Sequence, residues 1–150
     1  MDTLFDAAVK DRILSRIDAL RPDAPRQWGK MNAAQTLSHC ALGMEAATGD
    51  AVLHSNFMAK LIGPLFKGML LNDKPFSKNA PTHPLLVLNK ADCDFAKEKA
   101  RLAAVVRKFH AAGPASAAKF RHAFVQTLTG EEWGVMQYKH LDHHLRQFGA

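Results

Sequence analysis

Nowhere in this 150-residue chain do apolar and polar residues alternate for long enough to make a useful β-strand. Apolar residues instead recur every three or four positions, the spacing that lines one face of an α-helix. Two such stretches open on a capping box, in which a cap side chain accepts the N–H three residues on and that residue's side chain accepts the cap N–H. Asn32 with Gln35 makes one box, and Thr129 with Glu132 makes the other. The chain is therefore expected to be all-α.

Phe5, Val9, Ile13 and Ile17, joined by Leu20, form a first ladder, with Thr3 and Asp6 at its start and Arg21, before Pro22, at its end. Residues 21–30, RPDAPRQWGK, read as a loop anchored by Trp28. The second helix runs from Asn32 to Thr48 and stops at Gly49. Ser55 to Leu71 is apolar almost all round except for Lys60 and Lys67, and Pro64 should kink it. It reads as a crossover helix buried in a bundle, with a homodimer contact or a pocket wall as competing roles. Residues 72–89, with Pro75, Pro81 and Pro84, form a long connection in which Lys78 and His83 stand singly. A helix over Asp92 to Ala112 sets Phe95, Leu102, Val106 and Phe109 on one stripe and stops at Gly113 and Pro114. Lys99 shares that stripe, where it either snorkels or faces a substrate. Four principal helices and one crossover helix are thus expected in a single domain spanning residues 1–150.

Composition narrows the function. The net charge is +6, yet Lys and Arg are scattered without a dense run or interleaved aromatics, so no nucleic-acid partner is expected. Cys40 and Cys93 lie far apart and outside any CxxC, which predicts reduced thiols in a cytoplasm rather than a disulfide framework. The amino terminus, MDTLFDAAVKDR, carries acids where a secretory signal has basic residues, and no stretch approaches a membrane span. A soluble protein with no membrane partner is expected.

The last helix carries the chemistry. At roughly 100° per residue, Trp133, His140, Leu141, His144, Leu145 and Phe148 share one arc, with Met136 at its edge. Lys139, Asp142 and Arg146 fall opposite, and His143 lies at the margin. His140 and His144 stand one turn apart and can reach a single ion. Two core histidines hydrogen-bonded at both ring nitrogens would satisfy the same spacing. On the second helix, Ser38 and Glu45 mark the polar side, while His39 lies on the inner half beside Gly43, Ala46 and Ala47, small residues that leave room for an imidazole. Adjacent helical side chains diverge, which disfavours Cys40 and His39 as a nucleophile and base. Facing helices of a bundle would let His39, His140 and His144 supply three nitrogen ligands and leave a position open, the catalytic pattern for zinc. Imidazole also suits nickel, iron and copper. A zincin is disfavoured, because Leu141 follows His140 where HExxH needs a glutamate.

The segments WGKMNAAQTLSHC around His39 and LTGEEWGVMQYKHLDHHLRQFG at the end resemble the DinB/YfiT-like metalloenzyme superfamily, in an order that covers nearly the whole chain. The resemblance implies a four-helix bundle with an unusual order of helix directions. It also implies a metal held by one histidine of the second helix and an HxxxH pair of the last, matching His39, His140 and His144. His122 departs from the pattern, being followed by Ala123 and then Gln126 where a proline and a glycine are expected, which puts its role in doubt. Similar proteins include transferases that use bacillithiol and a mycothiol-dependent maleylpyruvate isomerase. The resemblance thus implies a divalent metal, zinc or nickel, and a metal-dependent thiol S-transferase or hydrolase acting on a small molecule with a low-molecular-weight thiol. The alternative is a non-catalytic, stress-related metal or small-molecule binder. His143 would serve either as a partner or proton shuttle to the ligands or as a solvated side chain, and Trp133 is expected to pack. No independent general base is identifiable.

Overall fold

The computed structural model describes residues 1–54, 63, 67–68, 70–78, 86–88, 91–123, 125 and 127–150. Four helices carry the architecture: α1 Ala7–Ala19, α2 Ala33–Thr48, α3 Phe95–Ala117 and α4 Gly130–Gln147. No β-strand occurs among the described residues, so the class is all-α. No helix among them is long and apolar enough to cross a membrane.

Each helix begins where a side chain can satisfy the N–H groups that the first turn leaves unpaired. Asp6 rather than Thr3 caps α1, its Oδ1 accepting from the amides of Ala8 at 2.8 Å and Val9 at 3.1 Å. Both expected capping boxes form, Asn32 with Gln35 on α2 and Thr129 with Glu132 on α4. Asp94 caps α3 through the Lys97 amide at 2.7 Å, two residues beyond the expected start. Gly49 ends α2 in the left-handed region at φ 82°. Gly113, at φ 73° and ψ 173°, interrupts α3 at the expected stop, and Pro114 begins a further turn that reaches Ala117. α1 ends at Ala19, slightly short of Arg21, because Leu20 is already extended.

The apolar stripes meet in one core that includes Ile13, Ile17, Leu37, Met44, Leu102, Val106, Phe109, Trp133 and Leu141. Trp133 packs as expected, and its indole N–H donates to the Phe120 carbonyl at 3.2 Å. α2 makes its most extensive contact with α3. Across that seam the Arg101 guanidinium donates to both Glu45 oxygens at 2.7 Å, and within α3 it donates to Glu98 at 2.9 Å. Ser38 is therefore buried against α3, with Arg101 Nη1 at 3.4 Å, and the polar side of α2 faces a partner helix rather than water. Lys99 faces no cleft; its ammonium donates to the carbonyls of Asp18 and Leu20 at the end of α1, where a cation complements the helix dipole.

The expected crossover helix over residues 55–71 lies mostly outside the described residues, as do Pro64 and the face assigned to a homodimer. Gly63, Lys67, Gly68 and Leu70 within it are helical, and Lys67 pairs with Glu132 at 2.7 Å. Residues 71–78 then cross α4 and change the environment of two of its side chains. Lys139, expected on the polar side, is buried beneath this segment, its ammonium 2.6 Å from the Asn72 carbonyl and 4.9 Å from the Phe76 ring centre. Asp142 does point away from the core, paired with Arg16 at 2.9 Å and Arg146 at 2.8 Å.

The amino-terminal strand of backbone crosses α4 at Gly134, where the Leu4 amide donates to the Gly134 carbonyl at 3.2 Å. A Cβ at Gly134 would overlap the Thr3 hydroxyl and the Phe5 ring, which itself stacks on Phe109 at 4.8 Å. Gly134→Ala is expected to destabilise the fold by about 1–3 kcal/mol through overpacking. Gly68→Ala, where an added Cβ meets nothing within 4 Å among the described residues, should leave stability level or raise it by up to about 1 kcal/mol. Urea unfolding of both variants checks this, and equal stabilities would refute the close crossing.

Candidate metal centre

α2 and α4 bring together the three histidines that the helical phases had placed inward. The ring centres of His39, His140 and His144 lie 5.0, 4.6 and 4.9 Å apart in the three pairings. One ligand atom from each lies within 4.8 Å of the others. His39 is buried, whereas His140 and His144 are partly exposed as whole residues, with their rings enclosed. The small residue expected beside His39 serves the partner imidazole: a Cβ on Gly43 would come within 3.1 Å of His140 Cε1 and 3.5 Å of its Nδ1. The absent side chain lets α4 lay its imidazole close against the α2 backbone, and a Cβ there would push the ring back by a few tenths of an ångström.

Hydrogen bonds determine which nitrogens face inward. His39 Nδ1 lies 2.8 Å from the Leu86 carbonyl, which can only accept, so Nδ1 carries the proton and Nε2 a lone pair. His39 Nε2 lies 2.9 Å from His140 Nε2, and His144 Nδ1 lies 2.9 Å from Gln147 Oε1. Without an ion, one member of the His39–His140 nitrogen pair must donate to the other. With an ion, both offer lone pairs to it. Two nitrogens on one tetrahedral zinc stand about 3.3 Å apart, given bonds of about 2.0–2.1 Å, a separation bracketed by the 2.9 Å pair and the 4.8 Å span. The donor set fits a divalent ion.

Electrostatics favours the same state. Burial holds the His39 imidazole below its ordinary range. Burial and then repulsion from the neighbouring imidazoles push His140 well below it, and burial followed by repulsion from His39 takes His144 to about 3. Three neutral rings at neutral pH are three available ligands. This group of three is a site that could hold a metal ion.

The other candidates lie elsewhere. His143, expected at the helix margin either as a partner to the ligands or in solvent, is buried, because Trp28 and Phe76 close over it with ring centres 5.4 and 6.1 Å away. Its ring touches His144 at 5.0 Å, and burial lowers its pKa as well. Trp28 is the loop anchor that was expected, with the Lys78 ammonium 4.8 Å above its ring. His122 packs against Trp133 at 5.3 Å and accepts the Val125 amide at 3.3 Å, and its ring is near enough to His140 to repel a charge there. His83 lies outside the described residues. The Cys40 thiol is fully enclosed in the core and its pKa is pushed up, which removes it as a nucleophile. Sequence reasoning missed Gln147; its only signal was an amide three residues after a histidine on the same helix.

Two outcomes follow from this geometry. Gly43→Ala should keep or raise stability by up to about 1 kcal/mol as a better helix former, while displacing His140 and weakening zinc affinity about ten-fold; calorimetric titration beside thermal melts separates the two. The unfolded chain protonates its imidazoles near pH 6.5 and the folded His144 only near 3. The metal-free protein should therefore hold full stability above about pH 6.5 and lose it as pH falls toward 3. Melts from pH 8 to 4 should show this slope, reduced in His144→Gln.

Comparison with curated proteins and with solved structures returns no match to this chain. Over residues 5–150 the sequence matches the family model described as a protein of unknown function, DUF1569, and the chain belongs to that family.

Proposed function

We propose that this chain is a DinB-like protein that binds a divalent metal, zinc or nickel, through His39, His140 and His144, and uses it in thiol S-transfer or hydrolysis on a small molecule. The observation that carries the reading is the convergence of three neutral imidazoles from two facing helices, with ligand atoms within 4.8 Å of one another. Such a donor set leaves the charge of the ion uncompensated, and a thiol or water in the open position would lose its proton more readily.

The side chains supply the setting rather than the attacking group. His39 is held by the Leu86 carbonyl and His144 by Gln147, which leaves Nε2 of each as the nitrogen with a free lone pair. Cys40 is too deeply buried to act, which leaves the nucleophile to a thiol cosubstrate or water. Leu141 and Leu145 line a small apolar void behind His144 with Leu37 and Cys40, a wall that keeps bulk water from the inner side. Unpaired Cys40 and Cys93 suit the reducing cytoplasm in which low-molecular-weight thiols are held.

One observation favours a second reading, a metal or small-molecule binder without turnover and related to stress. Asp142, the carboxylate nearest in sequence to the cluster, is spent on Arg16 and Arg146 and offers no base.

Metal content decides the first step. Mass-spectrometric analysis of untagged protein should find close to one equivalent of zinc or nickel, lost in a His140→Ala, His144→Ala double variant that still shows helical circular dichroism. Absence of metal in the parent chain after reconstitution would reduce the cluster to hydrogen-bonded core histidines. With metal present, conjugation of an electrophile to a thiol that disappears in the double variant supports turnover, and its absence across thiols and hydrolysable esters supports the binder.

A further inference from the structure

Gln147 ends α4 with its side chain buried at 3 % exposure, an unusual place for an amide unless both ends are paired. Both are. Its Nε2 donates to the Trp28 carbonyl at 2.6 Å, and its Oε1 lies 2.9 Å from His144 Nδ1. The Trp28 carbonyl can only accept, so the amide cannot be turned over: nitrogen faces Trp28 and oxygen faces His144. An amide oxygen can only accept, so His144 must carry its proton on Nδ1. Its other nitrogen, Nε2, is then left with a lone pair.

The surrounding backbone holds this amide in place. The Gln27 amide donates to the Gln147 carbonyl at 2.8 Å, joining the loop to the end of α4 a second time. Gly29 stands in the left-handed region at φ 80°, and a Cβ there would overlap Gln147 Nε2. The turn at residues 27–29 is thus shaped around one side chain, and that side chain is aimed at one histidine.

We infer that Gln147 is a positioning residue for the metal centre, fixing the tautomer and orientation of His144 so that Nε2 is presented as a ligand. This rests on the metal reading given above. It assigns to the loop bearing Trp28 a part in ion affinity, although no loop side chain reaches the three histidines. Outer partners of this kind change metal affinity by about 10–100-fold when removed.

Two variants separate the accepting oxygen from the bond to Trp28. Gln147→Met removes both, whereas Gln147→Glu keeps an acceptor for His144 and loses the donor to Trp28. Zinc affinity, measured by competition with a chromophoric chelator, should fall about 10–100-fold in Gln147→Met and stay within about three-fold of the parent, or tighten, in Gln147→Glu. The cobalt absorption spectrum should change in the Met variant and be restored in the Glu variant. Parent-like affinity in Gln147→Met would overturn the inference, and equal losses in both variants would show that only loop anchoring matters and overturn it too. Should the Met variant fail to fold, long-range proton–nitrogen correlation spectra of the metal-free parent protein decide: Nδ1–H on His144 is expected, and Nε2–H would overturn the assignment. A parent protein that takes up no zinc fails earlier, on the metal reading itself.

Discussion

Three imidazoles facing one another inside a helical bundle are tolerated only if each ring settles where its one proton goes. A buried N–H without an acceptor costs on the order of 1–3 kcal/mol, and three protonated rings within 5.0 Å would repel. The Leu86 carbonyl answers this for His39 and the Gln147 amide for His144. Those acceptors come from outside the two helices that carry the ligands or from the last residue of α4, so connections as well as helices are needed to build the cluster. The inward lone pairs of His39 and His144 are a consequence: once their outer nitrogens donate, the inner ones can only accept. His140 donates to His39 when no ion is bound, and a cation would take the place of that proton.

Close approach of elements follows from residues with no side chain rather than from large ones. Gly43 admits His140 against α2, Gly134 admits the amino-terminal segment across α4, and Gly29 admits the Gln147 amide. Each sits where the competing atom belongs to the site or to a neighbouring element. Larger forces then hold what the glycines permit: Trp133 and Phe109 fill the centre, and Arg101 of α3 joins α2 through Glu45 while Glu98 of its own helix steadies it. The half-buried guanidinium is worth more than an exposed ion pair because its fork meets both carboxylate oxygens.

Helix positions were legible because caps are local. Asn32 with Gln35, Thr129 with Glu132, and the glycines at 49 and 113 act within one turn of themselves, and the structure places helix ends at the first three and a break in α3 at Gly113. The inward phase of His39, His140 and His144 was legible for a related reason, since a helix transmits its period along its whole length. What the period could not show was which polar positions a later segment would cover. Lys139 and His143 lie at angles that on an isolated helix would meet water, yet residues 72–76 and Trp28 fall across them. Ser38 likewise reads as surface until Arg101 of α3 reaches it. Gln147 was silent for the same reason, because its role depends on a carbonyl 119 residues away in sequence.

The distribution of exposure bears on what the site can do. A purely structural metal site closes its coordination with a fourth protein ligand and shuts out solvent. Here the group of metal-binding type contains three residues among those described, and two of the three are partly exposed. The buried member, His39, is the one tied to backbone, while His140 and His144 on α4 keep partial exposure as residues. Neutral donors would leave an ion held this way a strong attractor for whatever anion-forming group reaches it. His143 packs beside His144, with Trp28 and Phe76 against His143, and none of the three brings a carboxylate. Competition for a fourth position falls to the incoming molecule, which is the condition a cosubstrate thiol or a water requires.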